Sequence, residues 1–140
     1  MRSLFYNCYN LTIIDLSKFD TSQVTTFQWM FIHCELLTSI DISNFNMTKV
    51  KTMYAIFSYC YNLETIKFGN IKSSSIEDME RIFFKCKKLK SIDLSDFDTS
   101  KVTNMLGMFT DCLDLETINL RNINTSSAVT MRLYLIIVLN

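Results

Sequence analysis

Cysteine returns at a fixed interval: Cys8, Cys34, Cys60, Cys86 and Cys112 are each separated by 26 residues. A constant step of about 20 to 50 residues marks one supersecondary unit copied along a chain, so that each unit packs on its neighbours and not around a single centre. Phe5, Phe31, Phe57, Phe83 and Phe109 keep the same step, as do Leu11, Leu37, Leu63, Leu89 and Leu115 and Ile14, Ile40, Ile66, Ile92 and Ile118. Looser apolar columns run through Leu16, Ile42, Phe68, Leu94 and Leu120, through Phe19, Phe45, Ile71, Phe97 and Ile123, and through Val24, Val50, Ile76, Val102 and Ala128. Positions that recur are needed by the stack; positions that vary are free to face solvent or a partner.

Charge selects no partner class, because 14 Lys and Arg balance 14 Asp and Glu. A strongly basic chain would point to nucleic acid, so nucleic acid is disfavoured as a ligand. No proline and only two glycines leave no linker, which predicts one continuous domain over residues 1–130 with five repeats. Residues 131–140 begin a sixth copy that loses the pattern. Met1 stands in the column of Phe27 and Met53, so the chain starts inside the repeating pattern, without a leader. The expectation is a fragment of a longer protein or a truncated gene product. The Leu133–Leu139 run is far shorter than the roughly 20 apolar residues a bilayer span needs, so no membrane insertion by this segment is expected.

The fourth copy shows the unit best. Ile92 and Leu94 alternate with Ser91, Asp93 and Ser95, the period of two that suits a half-buried strand. Asp98 to Lys101 is a polar turn, and from Val102 the apolar positions Met105, Met108, Phe109 and Cys112 are spaced by three and four, which predicts a helix. Ser74 followed by Glu77 fits a capping box at such a helix start. The expected architecture is therefore an α/β, right-handed β–α solenoid with one parallel sheet. Strands about 4.8 Å apart and helices about 8 to 10 Å apart bend such an array, placing the strands on a concave face.

That face offers Ser39, Thr65, Ser91 and Thr117, then Asp15, Asp41, Lys67, Asp93 and Asn119, and then Ser17, Ser43, Gly69, Ser95 and Arg121. These columns lack the Trp and Tyr anchors of tight interfaces and suit a polar ligand or many weak contacts. Facing carboxylates allow acid–base chemistry or a calcium ladder in principle. Stacking sets like charges near one another, and a solvating or weakly binding role is the stronger reading. Trp29, Tyr54, Tyr59 and Tyr61 do not recur and gather in the second and third copies; they are either contact points or local fillers. Lys85, Lys87, Lys88 and Lys90 form a basic cluster at one turn.

Cysteine admits three functional readings. Disulfides need Cα atoms about 4.4 to 6.8 Å apart, whereas these thiols fall on the expected helical side, so free thiols are favoured. Equal steps spread the cysteines along a line, which argues against a metal cluster. Catalysis by Cys34 with His33 fails because neighbouring helical residues diverge and cysteine recurs in copies without histidine. With no phosphate loop, metalloprotease helix or nucleophile elbow, no enzyme, metal or cofactor is expected.

The stretch from Leu89 through Ile92 and Leu94 has the L-x-x-L-x-L spacing of leucine-rich repeats. Over the whole unit, KLKSIDLSDFDTSKVTNM from Lys88 and MFTDCLDLETINL from Met108 resemble the 26-residue BspA-like leucine-rich repeats of bacterial surface proteins. The resemblance spans Met1 to Met131 and implies a cell-surface or secreted module without catalysis, adhering to a protein or glycan on another cell or host surface. The competing expectations are an intracellular scaffold for protein partners and a nonfunctional fragment. The apolar end after Val129 predicts end-to-end self-association.

Overall fold

The computed structural model describes residues 1–69 and 75–119. Alternation of apolar and polar residues produces a strand in four of the five copies, β1 (Ser39–Ile42), β2 (Thr65–Phe68), β3 (Ser91–Asp93) and β4 (Thr117–Asn119), while the matching stretch of the first copy forms none. In β1 the inward residues Ile40 and Ile42 are buried while Ser39 and Asp41 face solvent. Pairing is parallel and steps by one copy, Ser39 with Thr65 and Ile40 with Ile66 in β1 and β2, and Ser91 with Thr117 in β3 and β4. The four strands form two two-stranded sheets, not the single sheet expected. The ladder breaks between β2 and β3, in the copy that carries Gly69 where Ser17, Ser43 and Ser95 stand elsewhere.

The expected helices are absent among the described residues. In their place each copy runs through consecutive reverse turns whose N–H groups alternate between two destinations. Met30 N–H donates to the Phe27 carbonyl and Cys34 N–H to the Phe31 carbonyl, inside the copy. Phe27, Trp29, Phe31 and His33 donate instead to Thr52, Tyr54, Ile56 and Ser58 of the next copy, at 2.9–3.1 Å. An α-helix would spend every N–H internally and hold its neighbour about 8 to 10 Å away, twice the strand spacing. Turns that share half their donors with the next copy stack at the strand spacing, so the mismatch expected to bend the array has no source here. Apolar spacings of three and four are common to both structures. In the turns, a left-handed residue every four positions, Trp29 (φ 60°) and His33 (φ 60°), rotates Phe27, Met30, Phe31 and Cys34 inward. The capping box drawn on Ser74 lies outside the described residues.

A third ladder escapes the sequence patterns altogether. Thr26, Thr52, Asp78 and Asn104 bridge in parallel from copy to copy, and each side-chain oxygen accepts the N–H two residues on, from Gln28, Tyr54, Glu80 and Leu106. Short side chains that close a local turn favour such positions.

The core is the recurring columns. Phe27, Phe31, Phe57 and Phe83 are fully buried, and rings of the phenylalanine column stack face to face with centroids 5.2, 5.7, 6.2 and 5.4 Å apart from Phe5 to Phe109. Beside it the cysteines form a second column of free thiols. Cys34, Cys60, Cys86 and Cys112 each donate Sγ–H to the phenylalanine carbonyl of the preceding copy, at 3.3, 3.1, 3.1 and 3.0 Å. The same carbonyls accept a cysteine N–H within their own copy, so one oxygen ties two layers. Four of the five free thiols, those of Cys34, Cys60, Cys86 and Cys112, thus have a carbonyl partner in the preceding copy. Burial pushes the Cys34 and Cys112 thiols up to about 12 and raises those of Cys60 and Cys86 well above the ordinary range. Cys60 and Cys86 are expected to react with a thiol-specific reagent at pH 8 only as fast as the protein unfolds, with normal rates in denaturant. Rapid labelling of Cys60 in the native state would contradict this packing.

Candidate functional site

Two surfaces offer exposed, chemically diverse side chains. On the strands, Ser39, Thr65, Ser91 and Thr117 are exposed, as are Asp41, Lys67 and Asp93, with Asn119 half-buried. Asp15 is exposed in a stretch that forms no strand, and Arg121 lies outside the described residues. Asp15 and Asp41 are like-charged neighbours in this column, but the next steps along it are complementary. Lys67 Nζ lies 2.9 Å from Asp41 Oδ2 and Asn119 Nδ2 donates to Asp93 Oδ2 at 3.1 Å, while Lys90 pairs with Glu64 at 3.1 Å one column earlier. The aspartates also shape the backbone: Asp15, Asp41 and Asp93 accept the N–H of Ser17, Ser43 and Ser95 at 2.9, 2.9 and 2.8 Å. Hydrogen bonds from Ser43, and then the Lys67 ammonium, hold the Asp41 carboxyl down at about 2. It is therefore a fixed carboxylate that ends a strand, not a proton carrier. A cleft of about 260 Å³ opens on this side where the ladder breaks, lined by Lys67, Gly69, Asp93 and Phe97 among others.

The second surface belongs to the turn segments. Trp29, Tyr54 and Tyr59, from two copies, come together with Arg81 and Phe84 of the next around a cleft of about 290 Å³. The rings touch one another: Trp29 meets Tyr54 edge-on at 5.9 Å, and Tyr59 meets Phe84 at 5.3 Å. His33 stacks flat on Tyr59 at 4.2 Å while its Nδ1 lies 3.2 Å from Glu35. Cations sit over the rings, Arg2 over Trp29 at 4.7 Å, Lys85 over Tyr59 at 5.2 Å and Lys87 over Tyr61 at 5.0 Å. Part of the basic cluster and the non-recurring aromatics, separate features along the chain, thus form one patch. Cys34 takes no part in it, since its thiol is buried against the Phe5 carbonyl.

Among the described residues no three His, Cys, Asp or Glu side chains converge to hold a metal ion. Nor is any helix of the described residues long and apolar enough to cross a membrane.

Short parallel strands with a buried L-x-x-I-x-L pattern, repeated at a constant step, define a leucine-rich repeat protein. The chain belongs to the family described as "Mycoplasma protein of unknown function, DUF285", whose model matches residues 1–67 and 61–135, and its repeats are of the BspA-like kind. It is similar to a leucine rich cell surface protein from Faecalibacterium prausnitzii, whose crystal structure superimposes with a TM-score of 0.56 at 28% sequence identity, over 91% of this chain and 29% of that one. The chain therefore spans less than a third of that protein's length. No curated protein matches.

Proposed function

We propose that the chain is a non-catalytic binding module of a cell-surface or secreted protein. In this reading it is a solenoid of five coils over residues 1–130, adhering through its strand face to a protein or glycan on another cell or host surface. The observation that supports it is the strand face itself. Every described strand turns its first residue to solvent, Ser39, Thr65, Ser91 and Thr117 in register, a polar surface that repeats at a fixed spacing and suits weak contacts multiplied along the axis. Likeness to a leucine rich cell surface protein supports the location.

Beads coated with the chain test this reading. They are expected to adhere to epithelial cell layers, and adhesion is expected to fall several-fold when Thr65→Arg and Ser91→Arg together add bulk and charge to the strand face without touching the core. Undiminished adhesion by that variant would remove the strand face as the contact surface.

A further inference from the structure

The cleft on the turn segments exists because of one small residue. The column Ser3, Trp29, Ala55, Arg81 and Gly107 takes positive φ in each described copy, and Ala55 sets a methyl group between a tryptophan and an arginine. The missing side chain leaves the notch. Buried Ala55 and Ser58 floor it, and the half-buried rings of Trp29, Tyr54, Tyr59 and Phe84 wall it.

Cations outnumber carboxylates beside the notch, where Glu80 and Glu35 already have partners in Arg81 and His33. Arg2, Lys85 and Lys87 have no carboxylate partner among the described residues; their contacts are aromatic faces, Lys85 Nζ lying 5.3 Å from Phe84 as well as near Tyr59. Arg81 meets Glu80 at 3.5 Å, but the other oxygen of that carboxylate is taken by Asn104 at 2.8 Å. Two cations without a carboxylate partner, Arg2 and Lys85, lie over rings of the wall, with Lys87 farther out over Tyr61, and they call for an anion attached to a compact body with an apolar face.

We propose that this notch binds an acidic saccharide, a hexuronate unit of a glycan, with the apolar face of the sugar ring against the aromatic wall and its carboxylate on Lys85, whose ammonium lies over the wall rings of Tyr59 and Phe84. An extended peptide fits less well. The N–H groups of Trp29, Ala55, Tyr59 and Arg81 already donate to the next copy, so no backbone edge is open to an added strand. Single-stranded nucleic acid needs a cationic groove along several phosphates, whereas these few cations lie beside one notch on a chain of zero formal charge. The site lies on the turns, away from the strand columns, and stands independently of the adhesion reading.

Trp29 is the chain's only tryptophan, so its fluorescence reports occupancy. Titration of the whole chain with galacturonic acid tetramer is expected to give a saturable change that weakens with added salt, while maltotetraose of equal length gives none. Ala55→Gln is expected to abolish the response. Because Trp29 and Arg81 occupy the same left-handed position at φ 60° and 54°, a long side chain fits there without unfolding. Lys85→Gln, which leaves the core untouched, is expected to weaken binding about tenfold; this variant decides the matter if Ala55→Gln lowers the melting temperature. Thr65→Arg with Ser91→Arg is expected to leave the titration unchanged, which separates this site from the strand face. An equal response to maltotetraose, unchanged affinity in the lysine variant, or stronger competition by oligothymidylate or polyglutamate would overturn the assignment.

Discussion

Replacing Phe57 with alanine is expected to lower the stability of the chain by about 3 to 5 kcal/mol, the range for deleting a buried aromatic ring. Phe57 is 0% exposed and stacks between Phe31 at 5.7 Å and Phe83 at 6.2 Å. Its neighbours cannot close over the gap, because the backbone on both sides is fixed: Phe57 N–H donates to Ile82 and Phe31 N–H to Ile56. The cavity would therefore persist and break the ring column at its centre. Urea unfolding, followed by circular dichroism, measures the effect as a lower midpoint. A loss below about 1 kcal/mol would mean that the ring column is not what joins the copies.

Gly69→Ala is the second large effect expected, about 1 to 3 kcal/mol, as for overpacking at a rigid contact. A Cβ built at this position collides with the Ser43 carbonyl oxygen and lies 2.7 Å from its carbonyl carbon. Backbone atoms cannot swing aside as a flexible side chain would. Ser43 is held by its N–H bond to Asp41, and the adjoining residues are held by the β1–β2 register from Ser39–Thr65 to Ile42–Phe68. Hydrogen exchange should accelerate at the β2 amides ahead of the rest of the chain, with Ser95→Ala as the mild control in the same column. Unchanged protection of Lys67 and Phe68 would show that the contact yields.

The strand half of each copy was legible because alternation has one meaning on a pleated surface. Ile92 and Leu94 must face inward if Ser91 and Asp93 face water, and they do. The other half was not, because the spacing of Phe27, Met30, Phe31 and Cys34 fits a helix and a run of turns equally well. What separates the two is where the amide hydrogens go, a property of neighbouring copies that spacing within a single copy does not carry. A clue was the need to stack at one spacing on both flanks, which turns satisfy and helices do not. The ladder of Thr26, Thr52, Asp78 and Asn104 was missed because the residue type changes along it while its chemistry, a short oxygen-bearing side chain, does not.

For the sites, the outward strand positions follow from the same alternation, and the described ones apart from Asp15 are found there. The pairing of Lys67 with Asp41 was not foreseen, although reading along the column shows opposite charges in adjacent copies. Trp29, Tyr54 and Tyr59 stand out in the sequence because they fail to recur. Ala55 does not stand out, since a small residue shows as a gap only when set beside Trp29 and Arg81 in its column.

Equal spacing on both flanks has a consequence for how such a protein changes over generations. Because bonds between layers join residues about one repeat apart, as in the step from the Cys60 thiol to the Phe31 carbonyl, an in-frame gain or loss of 26 codons preserves the backbone and core-column bonds at the new junction, while non-recurring pairs such as Asp41 with Lys67 change. Unequal recombination between repeats can therefore lengthen or shorten the stack without redesigning its core, so reach is open to rapid selection while the individual layer stays under tight constraint.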